Sequence, residues 1–313
     1  MAFNWKTFQT RTLTAIVFAA VMLTGLLWNY WSFFILFSII HFGCWWEYFK
    51  LVEKIYDTKI DQFIKYLFCI CGFLVFLTAA FWYNTYNLWW APFGVYINIK
   101  WCFRVLVLIC LFAFLFQNKK IAEKAKWLIT AGLVYISVSL GLMVYLRSGI
   151  LNLPDNVDFY LQKVQQGEVT ISQLIQTSLF SVKGFEICLI IVFSIWTNDT
   201  MAYIVGSLIG KTSLSKISPR KTWEGTIGGI VLTILLALLF SDFFLFSNFD
   251  IAVIAGITAV AGTLGDLLES KLKRMAGVKD SGSIMPGHGG FLDRFDSMLL
   301  ATPAVWLFVY FFS

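Results

Sequence analysis

Charged residues are scarce in this sequence. Asp, Glu, Lys and Arg make up 13% of its 313 residues and hydrophobic residues 59%, where an ordinary soluble domain carries about a quarter charged. The shortage excludes a soluble globular fold, because a single core stops growing at roughly 250–300 residues and much apolar surface would remain facing water. The six cysteines, Cys44, Cys69, Cys71, Cys102, Cys110 and Cys188, lack the spacing of a disulfide framework or a zinc site and read as small apolar residues. There is no internal repeat and no composition break that would mark a second, soluble domain.

The apolar residues are gathered into runs of about 20, the length a helix needs to cross a bilayer core of roughly 30 Å. They predict an all-α, polytopic integral membrane protein with about nine transmembrane helices, near 12–28, 31–49, 66–83, 101–117, 127–146, 184–204, 226–246, 250–270 and 297–312. The first run follows Lys6 and Arg11 but is closed by no small-x-small cleavage site, so it reads as a retained span. Trp28, Trp31, Trp45, Trp46, Trp82, Trp89, Trp90, Trp101 and Trp127 fall near run ends, where an amphipathic ring suits the headgroup layer. Lys and Arg crowd the alternate loops that include residues 50–65, 119–126, 211–221 and 271–279. By the positive-inside rule this pattern puts the N-terminus in the cytoplasm. The formal net charge of +6 has the same origin, and nucleic acid is not expected as a partner.

Three regions follow. Residues 1–146 form N-terminal, lipid-facing scaffold helices with almost nothing ionisable in their middles; His41 reads there as a helix-packing residue. Residues 147–183 form an extracytoplasmic excursion, with a short amphipathic helix near 169–180. Residues 184–313 carry ionisable and glycine-rich motifs against the apolar runs. Ionisable groups at membrane depth are costly, so they face a cavity and serve function.

The first motif is Asn198-Asp199-Thr200, continuing to Gly206 and Gly210-Lys211-Thr212. Its glycines are one residue too close for a phosphate-binding loop, and a membrane helix precedes it in place of a strand. Asp199, at the end of an apolar run, is a weaker candidate for metal or substrate. The second motif, Ser218-Pro219-Arg220-Lys221-Thr222-Trp223-Glu224-Gly225, can open a helix at Ser218-Pro219. Arg220 and Lys221 would then stand beside backbone N–H groups that attract phosphate, and Glu224 would orient one of the cations.

The third motif is the strongest. It runs from Gly265-Asp266 through Glu269-Ser270-Lys271-Leu272-Lys273-Arg274 and Lys279-Asp280 to His288-Gly289-Gly290-Phe291-Leu292-Asp293-Arg294-Phe295-Asp296. Helical spacing puts Asp266, Glu269 and Ser270 on one face, and likewise Asp293 and Asp296. A tight reversal over the glycine-rich 281–290 stretch can bring the two acidic faces together. Carboxylates from separate helices beside basic groups suit divalent ions bridging phosphate oxygens, and phosphoryl-type transfer needs little else from a protein. His288, between glycines, reads as a structural or phosphate-bonding group.

At these residues the sequence closely resembles the phosphatidate cytidylyltransferase (CDP-diacylglycerol synthase) family. The Ser-x-hydrophobic-Lys-Arg opening falls at Ser270–Arg274, the Lys-Asp at Lys279-Asp280, and the His-Gly-Gly-hydrophobic-x-Asp-Arg-hydrophobic-Asp close at His288–Asp296. Asn198–Tyr203 and Lys216–Gly225 are similar to the family's upstream motifs, so the resemblance covers roughly residues 196–300. It implies a cytidylyl transfer from CTP to phosphatidate that releases pyrophosphate, with Mg²⁺, a monovalent cation such as K⁺, a homodimer, and a cytosol-facing site, which in a bacterium would lie in the inner membrane. By the family pattern Asp266 and Asp293 hold the metal; Asp199 and Asp296 are weaker candidates for ligation or for support of the ligands. Lys273 and Arg294 assist at the reacting phosphates, while Lys211, Ser218, Pro219, Arg220, Lys221, Glu224, Arg274 and His288 contribute to substrate binding. Met201 departs from the small residue usual after Asp-Thr. The rivals are a CTP-dependent polyprenol kinase, which attacks the γ-phosphate, and an ion-coupled transporter. The transporter expects broken helices in both halves, whereas here the ionisable motifs lie in the last third.

Overall fold

The computed structural model describes residues 5–80, 87–90, 95–117, 121–148, 171–283 and 289–312. Its helices are α1 (Trp5–Leu27), α2 (Tyr30–Tyr56), α3 (Gln62–Ala80), α4 (Ile99–Gln117), α5 (Glu123–Gly132), α6 (Ser139–Ser148), α7 (Ile171–Ile209), α8 (Trp223–Leu239), α9 (Asn248–Met275) and α10 (Leu292–Phe312). A π-helical turn, Leu133–Val138, joins α5 to α6, so that the two form one rod. The remaining regular structure among the described residues is a short antiparallel hairpin of β1 (Asn87–Trp90) and β2 (Val95–Asn98) and a 3₁₀ turn at Ser241–Phe243.

The chain is therefore a helical, polytopic membrane protein. Among the described residues six helical segments are long and apolar enough to cross a bilayer, and the other three expected spans coincide with shorter apolar stretches at Ile16–Leu27, Arg104–Leu115 and Trp223–Leu239. Helix starts have local causes. Asn29 accepts the Ser32 N–H at 2.7 Å while the Ser32 hydroxyl accepts the Asn29 N–H at 3.1 Å, a capping box that separates α2 from α1. Ser247 caps α9 in a similar way, accepting the Asp250 N–H.

Side chains of Trp45, Tyr48, Phe33, Phe37, Phe49, Phe76 and Phe295 fill the interior. Trp45 is a correction to the interfacial reading: it faces the π-helical turn and donates its indole N–H to Ser137 at 2.9 Å. The next residue, Trp46, is exposed, as are Trp28, Trp31 and Trp127. The side chains of Trp82, Trp89, Trp90 and Trp101 lie outside the described residues. His41 is buried and shares the same Ser137 hydroxyl at 2.9 Å, in keeping with a packing role. Residues 149–170 of the expected excursion also lie outside the described residues, and α7 runs unbroken from Ile171 for 39 residues, so the described part of the expected short helix is continuous with the span.

What positions the site is the pairing of α9 with α10. Lys273 meets Asp293, Gly265 meets Asp296, and Gly262 meets Ser297, a sequence of contacts that runs antiparallel. At Gly265 the backbones approach so closely that an added Cβ would strike the Asp296 carbonyl oxygen. Gly265→Leu is therefore expected to force the pair apart and destabilise the protein by about 1–3 kcal/mol, read as a lower thermal unfolding midpoint in detergent. An unchanged midpoint would contradict the packing.

Candidate active site

The loop between α7 and α8 is built by its own hydrogen bonds. Gly206–Ile209 form the last turn of α7, so this stretch is helical and not a phosphate-binding loop. Trp223 donates its backbone N–H to Thr212 at 2.9 Å, Leu214 to Lys221 at 2.8 Å, and Lys221 to Ser218 at 3.1 Å. The last bond closes a β-turn with Pro219 in its second position, where the fixed φ of proline fits. Thr222 then caps α8 by accepting the Gly225 N–H at 3.1 Å. The helix thus opens at Trp223, not at Ser218-Pro219 as the sequence suggested: Pro219 is used in the turn, and Thr222 is the better cap. Glu224 receives the backbone N–H groups of Lys211 and Thr212, each at 3.2 Å, and so fastens the loop through its backbone.

This loop closes over a cavity of about 470 Å³ lined by Asn198, Asp199 and Tyr203 from α7, Ser218, Arg220 and Lys221 from the turn, Thr226 from α8, and Thr263 and Asp266 from α9. Lys221 forms an ion pair with Asp266 across it, and the Ser270 hydroxyl holds the other Asp266 oxygen at 3.2 Å. Asn198 donates to Thr263 at 3.2 Å. Its carbonyl oxygen Oδ1 is buried without a hydrogen-bond partner.

A second, smaller cavity of about 90 Å³ opens on the other side of Asp199, bounded by Asp293, Arg294 and Asp296 of α10 and by Phe18 and Met22 of α1. Asp293 stands in the first turn of α10. One oxygen takes the Lys273 ammonium at 2.7 Å; the other takes the Ser281 N–H at 2.9 Å, the Ser281 hydroxyl at 2.9 Å and the Gly290 N–H at 2.8 Å. Lys273 also pairs with Glu269 one turn earlier on α9. Asp296 is buried within electrostatic reach of Asp266 and Asp199.

Five carboxylates, Asp199, Asp266, Glu269, Asp293 and Asp296, thus meet three cations, Lys221, Lys273 and Arg294, at one end of α7, α9 and α10. Among the described residues no three acidic, His or Cys side chains already converge as a ligand set, for the lysines stand against the acids. The excess of carboxyl groups over cations and the unpartnered Asn198 oxygen are nevertheless oxygen donors of the kind that a hard divalent cation takes.

The sequence candidates divide accordingly. Asp199, Ser218, Arg220, Lys221 and Asp266 line the larger cavity, and Asp293, Arg294 and Asp296 share the smaller one with Asp199. Lys273 stands behind Asp293. Lys211, Pro219 and Glu224 shape the loop. Arg274 lies at the exposed end of α9, donating to the Val278 carbonyl at 3.3 Å, and His288 lies outside the described residues.

One residue was missed. Glu47 of α2, 1% exposed, accepts the Ser281 hydroxyl at 2.8 Å and the backbone N–H groups of Phe291 at 3.0 Å and Leu292 at 2.9 Å. It is the carboxylate within the second apolar run, and the cost of such a charge was the signal that could have found it.

A sequence profile of the cytidylyltransferase family matches residues 9–312. The chain belongs to this family. It is 41% identical over 128 residues to a phosphatidate cytidylyltransferase of Synechocystis, 47% over 125 residues to one of Bacillus subtilis, and 45% over 127 residues to one of Staphylococcus saprophyticus. These stretches cover 38–40% of this chain, and the chain spans 44–48% of the length of those curated relatives. In this member of the cytidylyltransferase family the loop before α8 is fastened by Glu224. Glu224→Ala is expected to raise backbone hydrogen exchange at Lys211 and Thr212 by about tenfold, while exchange within α9 stays unchanged. Protection retained at both amides would contradict this role.

Proposed function

We propose that the chain transfers a cytidylyl group from CTP to phosphatidate, giving CDP-diacylglycerol and pyrophosphate. The observation that carries this reading is the Lys221–Asp266 pair, which joins the basic turn to the acidic helix face across a cavity at the end of apolar helices. The relatives' shared name and the family membership support it.

In this reading the triphosphate enters the larger cavity. Arg220, Lys221 and the hydroxyl of Ser218 receive its anionic oxygens. The phosphatidate phosphate approaches from lipid, already anionic, so no strong general base is required. Its oxygen forms a bond to the α-phosphorus while the bond from that phosphorus to the bridging oxygen breaks, and pyrophosphate leaves with the electron pair. Lys273 holds Asp293, and Lys221 and Ser270 hold Asp266, so that each carboxylate is oriented before substrate arrives. Asp266 and Asp293, with Asp199 and Asp296 beside them, would hold Mg²⁺, which when bound neutralises the phosphate oxygens and the leaving group. A monovalent ion such as K⁺ would draw on the same acidic surplus. The concentration of Lys and Arg in alternate loops supports a site facing the cytosol, and we propose that the chain works there as a homodimer.

The test is purified protein with phosphatidate, Mg²⁺ and CTP labelled at the α-phosphate. Label in the lipid and release of pyrophosphate are expected. Label in free CDP would instead indicate a lipid kinase and overturn the reading. Asp293→Asn is expected to lower turnover by about 10²- to 10³-fold, the scale of removing one fixed electrostatic group, with the thermal midpoint within a few degrees of wild type. Near-normal turnover in that variant would refute the assignment.

A further inference from the structure

Glu47 belongs to α2, and its partners lie 234 to 245 residues further along the chain. We propose that Glu47 is a positioning residue for the transfer reaction, holding the start of α10 and Ser281 so that Asp293 faces the reacting phosphates. The proposal rests on the cytidylyl-transfer reading above.

The hydrogen bonds argue for more than packing. The N–H groups of Phe291 and Leu292 are at the start of α10, where a helix leaves donors without internal partners. Glu47 satisfies both from another helix, and its negative charge suits the positive end of the α10 dipole. Asp293 is one residue beyond this anchor, so its side-chain direction follows from how the first turn is seated. The same Glu47 carboxylate also receives the Ser281 hydroxyl, which lies 2.9 Å from Asp293. A hydroxyl carries one proton and donates to one acceptor at a time. When it donates to Glu47, Asp293 is left with the Lys273 ammonium on one oxygen and the Ser281 and Gly290 N–H groups on the other, which fix its place, and keeps a lone pair free to act on a substrate or its cation.

The chain is also shaped around Glu47. At Gly282 and Gly290, before and after residues 284–288, an added Cβ would collide with its carboxylate. Two of the glycines in the strongest motif are thus accounted for by a carboxylate in the N-terminal third.

Glu47→Gln preserves volume but places an amide N–H against N–H donors. Turnover is expected to fall about 10- to 100-fold, the usual effect of removing a residue that orients a ligating group, with KM for CTP changed less than about threefold. Backbone hydrogen exchange at Phe291 and Leu292 is expected to rise by at least about tenfold. Glu47→Asp, which keeps the charge but shortens the reach, is expected to restore part of the turnover. Ser281→Ala serves as a second probe should the Glu47 variants prove unstable; it should lower turnover in the same direction with an unchanged thermal midpoint. Wild-type turnover in Glu47→Gln, or a loss that tracks only a fall in midpoint and disappears when the assay is cooled below it, would overturn the proposal. Exchange in Glu47→Gln can be read without turnover: should wild-type protein make no CDP-diacylglycerol, the transfer reading fails, whereas unchanged exchange at Phe291 and Leu292 defeats the Glu47 assignment itself.

Discussion

The close antiparallel contact of α9 with α10 is the constraint on which the site depends. Gly265 allows the backbone of one helix to rest against Asp296 and Ser297 of the other, and in lipid such contact is gained by van der Waals packing, because hydrophobic burial offers little between helices already in an apolar solvent. Once the helices lie at that distance, acidic residues some thirty positions apart in sequence must share one end of the bundle. The connection between the helices then places Ser281 and Gly290 against Asp293, and leaves room for α2 to reach in with Glu47.

Gathering acids in this way is expensive, and the neighbouring side chains show how the cost is met. Lys273, half-hidden between α9 and α10, is shared by Glu269 and Asp293; Lys221 is brought to Asp266 by the turn around Pro219. A buried charge without a partner would cost several kcal/mol, and pairing offsets most of that without necessarily adding stability. These ion pairs are therefore better understood as devices of position than of strength. They hold the carboxylates in fixed orientations at an apolar boundary, where electrostatic interactions are less screened than in water.

The helical plan was legible in the sequence because length and hydropathy are local properties: every apolar run predicted as a span overlaps a helix or apolar helical stretch. The third motif was legible for a similar reason, since i,i+3 and i,i+4 spacing places Asp266 with Ser270 and Asp293 with Asp296 on common faces. Features that depend on tertiary partners were not. Ser218-Pro219 has the composition of a helix start, yet the turn closed by Lys221 and the capping by Thr222 shift that start to Trp223. Trp45 and Trp46 are chemically identical neighbours, and only the arrangement of the π-helical turn decides which one faces inward. Glu47 was hidden in a run assigned to scaffold because its partners are supplied by the far end of the chain; an isolated carboxylate in an apolar helix already calls for such partners.

The central claim is that α9 and α10 lie in this register, and a cysteine pair reads it directly. An ideal Cβ at Gly262 falls 3.5 Å from the Ser297 Cβ, inside the span that a disulfide bridges. In membranes treated with a mild oxidant, the Gly262→Cys/Ser297→Cys double variant is predicted to form an intrachain bridge identified by mass spectrometry of the linked peptides. Both thiols remaining free, or bridges found only between chains, would contradict the alignment that seats Asp293 against Lys273 and Asp296 against Gly265.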